Sequence, residues 1–543
     1  MRSIPGRMAA VALAGIALGG CGGGPGGAAP GEAVVTGGVL TFAADSEPEC
    51  LDPQVSAFDS TAFVDRGVFD SLVSLGPDGA FHPWLAERWT VSPDGLGYTF
   101  FLKKGVSFHD GTPFDAAAVK DTLDHAVNPK TKSRYAASLV HNYAGATVVD
   151  GGTIEVRLSK PDAAFLQSLS TAYLGIQSPK SLRDNAPDVL CTKPVGSGPF
   201  RLASWTKNTR IELTRNPGYD WGPATAAHSG PARLDGVTIQ IMPENAVRFG
   251  ALTSGQVDAI SNVPPNSAKS AQGSLQLLRA DSPGAVHALR LNSSKRVLAD
   301  ERVRIALQRG VDLDALVQSV YFGQYRRAWS LLSPSTLGYD KSTEGSWRYD
   351  PDMSARLLDE AGWTGRDAEG YRTKDGARLT IRWPYSKQLV REQRDILAQG
   401  VQAAAKKLGI AIDYVGEDTG QFTQSVLGGN LDILDTSFVR AEPDIMRRMF
   451  ASTELPSTGG GNIFGLKDAQ LDSWLGDAVR TSDPKARADL YARAQHYVLD
   501  HALVVPTYIP GALVGASAKA HELRFDAQAY PTFYDAWISG HGT

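Results

Sequence analysis

The segment Leu102-Lys103-Lys104-Gly105-Val106-Ser107-Phe108-His109-Asp110-Gly111-Thr112-Pro113-Phe114 decides the type of fold. It follows a predicted β-hairpin, Leu85 to Leu102, whose two strands are separated by a Pro-Asp-Gly turn. Val106 to Gly111 predicts a further strand and turn, and Asp115 then suits the N-terminus of a helix. Strand and helix patterns alternate from there to the end of the chain without internal repeats. The sequence therefore predicts an α/β protein.

Helices are predicted wherever apolar residues recur at three- and four-residue spacing. The clearest cases are Ala246 to Ser254, Glu301 to Gly310, Leu313 to Tyr321, Asp352 to Gly362, Val390 to Gly409 and Lys485 to Asp500. The β-branched and aromatic run from Gly38 to Ala44 predicts the first strand. Some 500 residues follow it, too many for one hydrophobic core, so two or three subdomains are expected.

The first 20 residues are typical of a bacterial lipoprotein signal. Arg2 and Arg7 precede an apolar run that ends in Leu18-Gly19-Gly20-Cys21, and the run is too short to span a bilayer. An ordinary secretory peptide or a buried apolar segment is the alternative, but neither explains a cysteine directly after Leu-Gly-Gly. We expect lipidation at Cys21, an extracytoplasmic location, and a flexible tether of Gly, Ala and Pro over residues 21–38.

The charge of the chain argues against nucleic acid as a partner. The formal net charge is -4, and loss of Arg2 and Arg7 with the signal changes it to -6, without runs of like charge. Proteins that bind nucleic acid usually carry a basic patch instead.

Two cysteines remain once Cys21 is assigned to lipid. Cys50 and Cys191 can form a disulfide in an exported protein, which would stabilise the fold by ~5 kcal/mol in the chain-entropy model. Two buried free thiols are the alternative. The chain has no Cys-x-x-Cys, and its cysteines are too few for a zinc site without histidines at ligand spacing.

Motifs for catalysis are absent from the sequence, which has no Gly-x-Ser-x-Gly, no His-Glu-x-x-His and no Ser-x-x-Lys set. His109-Asp110-Gly111 reads as a turn, and Gly196-Ser197-Gly198 as a backbone crossing between subdomains. We therefore predict no catalytic residue, no metal and no cofactor. A secreted hydrolase acting on peptides or esters, with a Ser-His-Asp set assembled from distant residues, remains the alternative.

Many short motifs, in this order, resemble one family. They are Leu51-Asp52-Pro53, Val68-Phe69-Asp70-Ser71-Leu72-Val73, Trp84-Leu85-Ala86-Glu87-Arg88-Trp89, Ser92-Pro93-Asp94-Gly95, the 102–114 segment, Pro194-Val195-Gly196-Ser197-Gly198-Pro199-Phe200, Arg215-Asn216-Pro217-Gly218-Tyr219, Leu252-Thr253-Ser254-Gly255-Gln256-Val257-Asp258, Asp300-Glu301-Arg302-Val303-Arg304-Ile305-Ala306-Leu307 and Leu357-Leu358-Asp359-Glu360-Ala361-Gly362-Trp363. Together they resemble the extracellular solute-binding proteins of family 5, the oligopeptide, dipeptide and nickel class that serves ABC importers.

The resemblance implies a two-lobe, type II periplasmic-binding-protein-like fold with an extra N-terminal subdomain. We expect lobe I at 39–285, with the extra subdomain at about 55–185, lobe II at 286–504, and a return to lobe I at 505–543. The implied function is a membrane-tethered receptor that binds a small polar solute, peptide-like or another metabolite, in a cleft between the lobes. Its implied partners are that solute and ABC permease subunits, and we expect a monomer.

Family members often line the cleft with aromatic residues, which makes Phe58, Trp383, Tyr385 and Phe438 candidates here, with ordinary core packing as the alternative for each. Peptide binders of the family also carry a Trp in the stretch matched by Leu431 to Asp444, followed three residues later by an Asp that pairs with the peptide amino group.

Neither feature is matched here, because the acidic position falls on Ala441 or Val439, depending on the alignment. Arg440 adjoins both, so we expect a neutral or anionic solute group near it, unless Arg440 points to solvent and Glu442 replaces the missing acid.

Overall fold

A computed structural model describes residues 33–540 of the chain except 272, 274 and 459. The strands in this part are β1 Val39–Ala44, β2 Val73–Leu75, β3 Phe81–Pro83, β4 Ala86–Val91, β5 Gly97–Leu102, β6 Tyr143–Asp150, β7 Thr153–Leu158, β8 Phe200–Thr206, β9 Arg210–Arg215, β10 Gly236–Ile241, β11 Ala259–Ile260, β12 Gln276–Asp281, β13 Gly284–Leu291, β14 Gly365–Arg366, β15 Arg372–Lys374, β16 Ala377–Arg378, β17 Thr380–Ser386, β18 Ala411–Glu417, β19 Ile433–Val439, β20 Val504–Tyr508, β21 Gly511–Ala516, β22 Ala520–His521, β23 Arg524–Phe525, β24 Pro531–Thr532 and β25 Trp537–Ile538.

The α-helices of the same residues are α1 Asp59–Val68, α2 Ala116–Val127, α3 Ala136–Leu139, α4 Phe165–Ser168, α5 Pro179–Asp184, α6 Pro187–Thr192, α7 Asn245–Thr253, α8 Pro265–Ser270, α9 Glu301–Arg309, α10 Leu313–Tyr321, α11 Pro351–Glu360, α12 Arg394–Leu408, α13 Thr419–Leu427, α14 Ile445–Phe450, α15 Ala469–Arg480 and α16 Pro484–Asp500. Several begin at an aspartate whose side chain accepts a backbone N–H of the first turn, as Asp115 does from Ala118. The predicted α/β fold is therefore present.

The first lobe is built on a seven-stranded sheet with the order β12-β21-β11-β1-β10-β9-β8. β1 lies parallel to both β10 and β11, and β21 pairs antiparallel with β11 and β12. β21 follows the second lobe in sequence, so the chain returns to the first lobe at its end. A four-stranded sheet, β4-β5-β7-β6, adds to the same hydrophobic core.

The second lobe has its own core, formed by buried side chains between Ala285 and Ile509. It surrounds a three-stranded sheet, β19-β13-β20, and the parallel pair β17 and β18. β13 enters this lobe just after β12, and β20 leaves it just before β21, so the two connections between the lobes lie side by side. The exact boundaries expected from the sequence remain a prediction.

A buried aspartate joins distant parts of the first lobe. Asp70 accepts hydrogen bonds from Ser197 Oγ at 2.8 Å, Tyr219 OH at 3.0 Å and Trp221 Nε1 at 2.9 Å. Burial raises the pKa of Asp70 to about 6, although these hydrogen bonds oppose the shift. The carboxyl group therefore links the end of α1 to the segment after β9.

The glycines of Gly196-Ser197-Gly198 allow two backbones to approach closely. A Cβ placed on Gly198 would lie 2.6 Å from the carbonyl carbon of Val68, and one on Gly196 would overlap the same residue. Larger side chains would therefore push this segment away from α1. The close approach agrees with the backbone crossing that the sequence predicts here.

Cys50 and Cys191 are joined by a disulfide, with their Cα atoms 4.4 Å apart. Leu51 N–H also donates to the Cys191 carbonyl at 2.8 Å, so the two segments are held by backbone as well as by sulfur. The bond lies in the first lobe, at the two ends of the segment that carries the four-stranded sheet.

Two local predictions were wrong. Of the strand and turn predicted at Val106 to Gly111, only the turn is present, with one isolated bridge between Ser107 and Pro113, because Gly111 takes a φ of 83° and reverses the chain. Helix α12 begins at Arg394 instead of Val390, because Glu392 and Gln393 have φ values of 53° and 54°, which a right-handed helix does not allow.

Within residues 33–540, apart from the three gaps, no helix combines the length and apolar character needed to cross a bilayer. The same residues contain no group of three or more His, Cys, Asp or Glu side chains arranged to hold a metal ion. Cys21 and the lipoprotein signal lie outside the described residues.

Candidate functional site

A cavity of about 410 Å³ lies between the two lobes. The first lobe contributes the end of β1, at Asp45, and the first turn of α1, at Asp59. The second lobe contributes the loop that contains Glu392, and strand β19 with Ser437 and Val439. Because both lobes line it, the volume and shape of this cavity depend on how the lobes are positioned.

Asp59 and Tyr530 line the cavity on the first lobe, and contacts connect Tyr530 to two tyrosines that lie outside the lining. Tyr530 OH donates to Asp59 Oδ1 at 2.7 Å, and Tyr530 is also hydrogen-bonded to Tyr173. Tyr135 packs edge-on against Tyr173, with ring centroids 4.7 Å apart. Burial raises the pKa of Tyr173 and of Tyr530, so both stay protonated and keep these hydrogen bonds.

The wall on the second lobe is strand β19. Ser437 and Val439 both line the cavity, while Phe438 between them does not, as the two-residue period of a strand dictates. Arg394 Nη2 donates to Ser437 Oγ at 2.8 Å, and this hydrogen bond fixes the position of the hydroxyl. Val439, one of the two positions aligned with the peptide binders' acid, therefore presents an apolar side chain to the cavity.

Glu392, which lines the cavity, belongs to a cluster of charged and hydrogen-bonded groups. Arg394 Nη2 donates to Glu392 Oε2 at 2.9 Å and its Nε donates to Tyr508 OH at 3.0 Å, while Tyr508 OH donates in turn to Glu392. Burial acts to raise the pKa of Glu392, but Arg394, Arg391 and the Tyr508 hydrogen bond outweigh it and lower the pKa to about 2. Glu392 is thus an anion with a fixed counter-ion.

A second polar group lies deeper, around His287. Its Nδ1 is 2.6 Å from Thr507 Oγ1 and its Nε2 is 3.3 Å from Asp435 Oδ2, while Trp383 Nε1 donates to Asp435 Oδ1 at 2.8 Å. These are residue types of a nucleophile, base and acid. However, Thr507 is 0% exposed and His287 is 1% exposed, so neither can reach a substrate as placed. Burial first, and then Arg394, lower the pKa of His287.

Two arginines of the second lobe, Arg391 and Arg440, contact the first lobe beside the cavity. Arg391 Nη1 lies 3.9 Å from Asp59 Oδ2. Arg440 Nη2 lies 3.5 Å from Ser138 Oγ, and its guanidinium carbon lies 4.7 Å from the centre of the Tyr135 ring. These contacts are long and partly exposed, so they hold the lobes together weakly.

The predicted aromatic residues occupy different environments. Phe58 precedes α1 and is 50% exposed, and Phe438 on β19 is 37% exposed. Tyr385 stacks on Tyr414, with ring centroids 4.2 Å apart, and Trp383 is buried in the second core. None of the four belongs to the lining of this cavity, and the exposed pair lies on segments that flank it.

The two charged candidates also differ. Arg440 lies between Val439, which lines this cavity, and Ala441, which lines a second cavity. Glu442 is buried and forms an ion pair with Arg487, although burial still raises its pKa. The structure therefore places Arg440 at the interlobe boundary and Glu442 inside the second lobe.

Sequence reasoning missed the acids of the cavity. Asp45, Asp59 and Glu392 line it, yet Asp59 looks like any first-turn helix acid and Asp45 like a turn residue. Position along the chain was the only available signal, since Asp45 follows the first predicted strand and Asp59 begins the first helix of the fold. The three acids come together only because segments that are distant in sequence meet in the fold.

A larger cavity of about 640 Å³ lies next to the first. Trp84, Tyr219 and Phe525 line it from the first lobe, and Ser335 lines it from the second. Phe63, Gln528, Ala529 and Pro531 line both cavities. The two spaces are thus separated by a thin wall of first-lobe side chains.

Comparison with known proteins identifies the family. A model for bacterial extracellular solute-binding proteins, family 5 middle region, matches residues 80–453, well over half of the chain. The glutathione-binding protein GsiB of Salmonella choleraesuis is 29% identical over 487 residues, covering 88% of this chain and 90% of GsiB. GsiB of Escherichia coli strain K12 is 27% identical over the same length and shares of each chain.

Solved structures share the fold. NikA from Brucella suis, in complex with Fe(III)-EDTA, superposes with a TM-score of 0.81 and 26% identity, covering 92% of this chain and 99% of NikA. DppA from Helicobacter pylori, in complex with the peptide STSA, has a TM-score of 0.76 at 24% identity, over 93% of this chain and 99% of DppA. This chain belongs to the bacterial extracellular solute-binding proteins of family 5 and has their two-lobe, type II periplasmic-binding-protein fold.

Proposed function

We propose that this protein is an extracytoplasmic receptor, tethered to the membrane through lipidated Cys21, that delivers a small polar solute to an ABC importer. The observation that carries the proposal is the cavity whose walls come from both lobes, with Asp59 on one side and Ser437 on the other. A solute held there contacts both walls at once. It therefore favours the closed arrangement of the lobes, which a permease can distinguish from the open one.

The solute is peptide-like and carries an anionic group near Arg440. Val439 and Ala441 offer no carboxylate for an amino group, whereas Arg440 offers a guanidinium whose described contacts are only Ser138 and the Tyr135 ring. A planar guanidinium suits a carboxylate. The name of the GsiB relatives, glutathione-binding protein, describes a ligand of this general kind, a small peptide derivative with carboxylates.

Mass spectrometry of small molecules that co-purify with the protein, followed by calorimetric titration, tests the proposal. The titrations use glutathione and short peptides with free and with acetylated amino termini. We expect binding that tolerates acetylation and weakens at least about tenfold in Arg440→Gln, since one charge-assisted contact is lost. Arg480→Gln removes an exposed arginine of α15 and serves as the control. Binding of free-amine peptides only, unchanged in Arg440→Ala and abolished in Glu442→Gln, would contradict the assignment.

Delivery rather than chemical conversion is tested by recovering the solute. Incubation with labelled peptides and esters should return them unmodified, with a rise in melting temperature that depends on the bound solute. Multiple turnover would instead establish a hydrolase.

Lipid anchoring is tested separately with Cys21→Ala. We expect this variant to leave the membrane fraction, because the acyl chains are its only proposed anchor. Continued membrane association, once retention of an uncleaved signal has been excluded, would refute the tether.

A further inference from the structure

Aromatic side chains of the first lobe line the larger cavity, whose volume is about 640 Å³. They include Trp84, Phe525 and Phe533. Phe533 packs edge-on against Phe63, which also lines the cavity, with ring centroids 5.5 Å apart. Rings held by their neighbours present a preformed surface, and such surfaces line the pockets that bind apolar parts of small molecules. This part of the lining therefore suits an apolar group.

The charged groups of the larger cavity already have partners within the protein. Its lining includes six charged residues, Arg66, Asp78, Asp281, Arg524, Asp526 and Asp535. Arg66 pairs with Asp526 at 3.3 Å, and its other two nitrogens donate to Ser71 Oγ at 3.0 Å and to the Ser170 carbonyl at 2.9 Å. The remaining contacts join Arg524 to Glu522, Asp281 to Arg326, Asp78 to His82 and Asp535 to His228. A charged solute group would compete with these partners, whereas an uncharged group would not.

The second lobe also borders the larger cavity, through Pro334, Leu337 and Ala441. Ala441 directly follows Arg440, while Val439 on the other side of Arg440 lines the smaller cavity. Three consecutive residues thus lead from one cavity to the other along the lobe boundary. A solute whose anionic group lies near Arg440 is therefore within reach of both cavities.

The wall between the two cavities contains an unpaired hydrogen-bond acceptor. Gln528 lines both cavities and is only 4% exposed, and its Oε1 accepts no hydrogen bond from the described part of the chain. A buried acceptor without a donor is unfavourable. An N–H group of a solute that crosses this wall would satisfy it.

We propose that the larger cavity receives a bulky, uncharged apolar group of the solute, joined by an N–H-bearing link to the polar part. The inference rests on the proposed function, because the polar part occupies the smaller cavity and the boundary at Arg440. An acyl group on the amino terminus and an apolar side chain would present the same chemistry to the cavity. The group contacts the aromatic rings of the first lobe and Leu337 of the second, so its burial favours the closed arrangement of the lobes.

Calorimetry with two matched pairs of peptides tests the proposal and separates the two sources of the group. Benzoyl-Gly-Gly is compared with acetyl-Gly-Gly, and acetyl-Phe-Gly with acetyl-Ala-Gly. We expect at least one bulky member to bind about tenfold or more tightly than its small partner, because it buries more apolar surface. Whichever pair shows the difference identifies the group as an acyl cap or a side chain.

Two variants should abolish this preference by different means. Leu337→Asp places a carboxylate in the lining of the larger cavity. Thr225→Trp adds a ring at an exposed position that lines the larger cavity but not the smaller one, and therefore fills the space without a new charge. Leu427→Asp is the matched control, because Leu427 ends α13, is 65% exposed and lines neither cavity, so the full preference should remain.

N-benzylacetamide, an uncharged probe with a ring and an N–H, provides a second test that needs no peptide binding. We expect it to raise the melting temperature of the wild type, but not of Leu337→Asp, more than N-methylacetamide does. Equal binding of bulky and small peptides, or a preference that survives in both Leu337→Asp and Thr225→Trp, would overturn the apolar site and leave the receptor intact. If all four peptides fail to bind while N-benzylacetamide still stabilises the wild type but not Leu337→Asp, the apolar site stands and the peptide-like solute is wrong. No effect of any probe would refute the site.

Discussion

Asp70 in the first lobe and Glu392 in the second have different kinds of partners. Asp70 is buried and receives its hydrogen bonds from neutral hydroxyl and indole groups. Glu392 is partly buried and is paired with the cation Arg394. Asp70 therefore acts as an acceptor that joins segments, whereas Glu392 is a member of an ion pair.

This difference gives the two acids opposite responses to pH. Burial raises the pKa of Asp70 to about 6, whereas the cations around Glu392 reverse the effect of burial and lower its pKa to about 2. A raised pKa makes ionisation of the acid unfavourable in the folded state, and a lowered pKa makes it favourable. Lowering the pH should therefore remove a stabilising contribution at Glu392, which lines the cavity, but not at Asp70.

The largest expected effect comes from removing one partner of the second lobe's pair. Arg394→Met leaves Glu392, whose side chain is only 18% exposed, without its cation, and we expect this to lower the free energy of unfolding by about 3 kcal/mol, the lower end of the cost of breaking a buried pair. Urea unfolding at pH 7.5 measures it. Arg480→Met is the control, because its ion pair with Asp477 lies on the exposed surface of α15 and should cost less than about 1 kcal/mol. Equal losses in the two variants would contradict the comparison.

Acid titration of the same pair comes next. The pKa of Glu392 falls from its ordinary 4.5 to about 2 on folding, so its ionised form adds stability above pH 4.5 that is lost as the pH falls towards 2. A shift of this size corresponds to about 3 kcal/mol. We therefore expect the stability difference between wild type and Glu392→Gln to shrink over this range, as measured by unfolding at a series of pH values. A difference that stays constant would refute the assigned pKa.

In the first lobe, Asp70→Ala removes an acceptor instead of a charge partner. The variant leaves the Ser197, Tyr219 and Trp221 donors unsatisfied, which should cost roughly 1–3 kcal/mol. Because the folded pKa of Asp70 is raised to about 6, wild-type stability should fall as the pH rises from 4 to 6. The difference in stability between wild type and Asp70→Ala should therefore narrow as the pH rises over this interval, whereas the difference between wild type and Glu392→Gln shrinks as the pH falls. A difference that widens with rising pH would instead show that ionised Asp70 stabilises the folded state.

The smallest effect is expected at Asp65, a fully buried acid of α1 whose two carboxyl oxygens have no hydrogen-bond partner. Burial, and then the nearby Asp52, raise its pKa. Asp65→Asn keeps the shape and removes the ionisable group, so we expect a gain of about 1 kcal/mol at pH 7.5 that vanishes below pH 4. Thermal unfolding at both pH values measures it, and a loss at pH 7.5 would show that the carboxylate has a stabilising role.

Local patterns in the sequence predicted many elements well. The hairpin of β4 and β5 and helices α9 and α10 follow directly from turn residues and apolar spacing. The two-lobe architecture came from resemblance, because no pattern along the chain reveals that β21 returns to a sheet begun by β1. The start of α12 was missed because Glu392 and Gln393, which are not glycines, adopt left-handed backbone angles. The hydrogen bond between Glu392 and Tyr508 joins residues far apart in sequence, so no local pattern predicts it.

The site was harder to predict than the fold for the same reason. Arg440 was identified by its position in a motif, but its neighbours Tyr135 and Ser138 lie about 300 residues away along the chain. A charge at a lobe boundary becomes recognisable only once the partners around it are known.

The disulfide described in the first lobe has a consequence for the path of the chain through that lobe. Cys50 and Cys191 lie 141 positions apart in sequence, yet their Cα atoms are 4.4 Å apart, close to the spacing of two consecutive residues. The segment between them therefore begins and ends at one point, while its side chains, Phe69 and Phe100 among them, belong to the hydrophobic core of the lobe. The bond closes this segment into a loop whose two ends cannot separate, which keeps α1 and the four-stranded sheet attached to the lobe when the packing around them loosens.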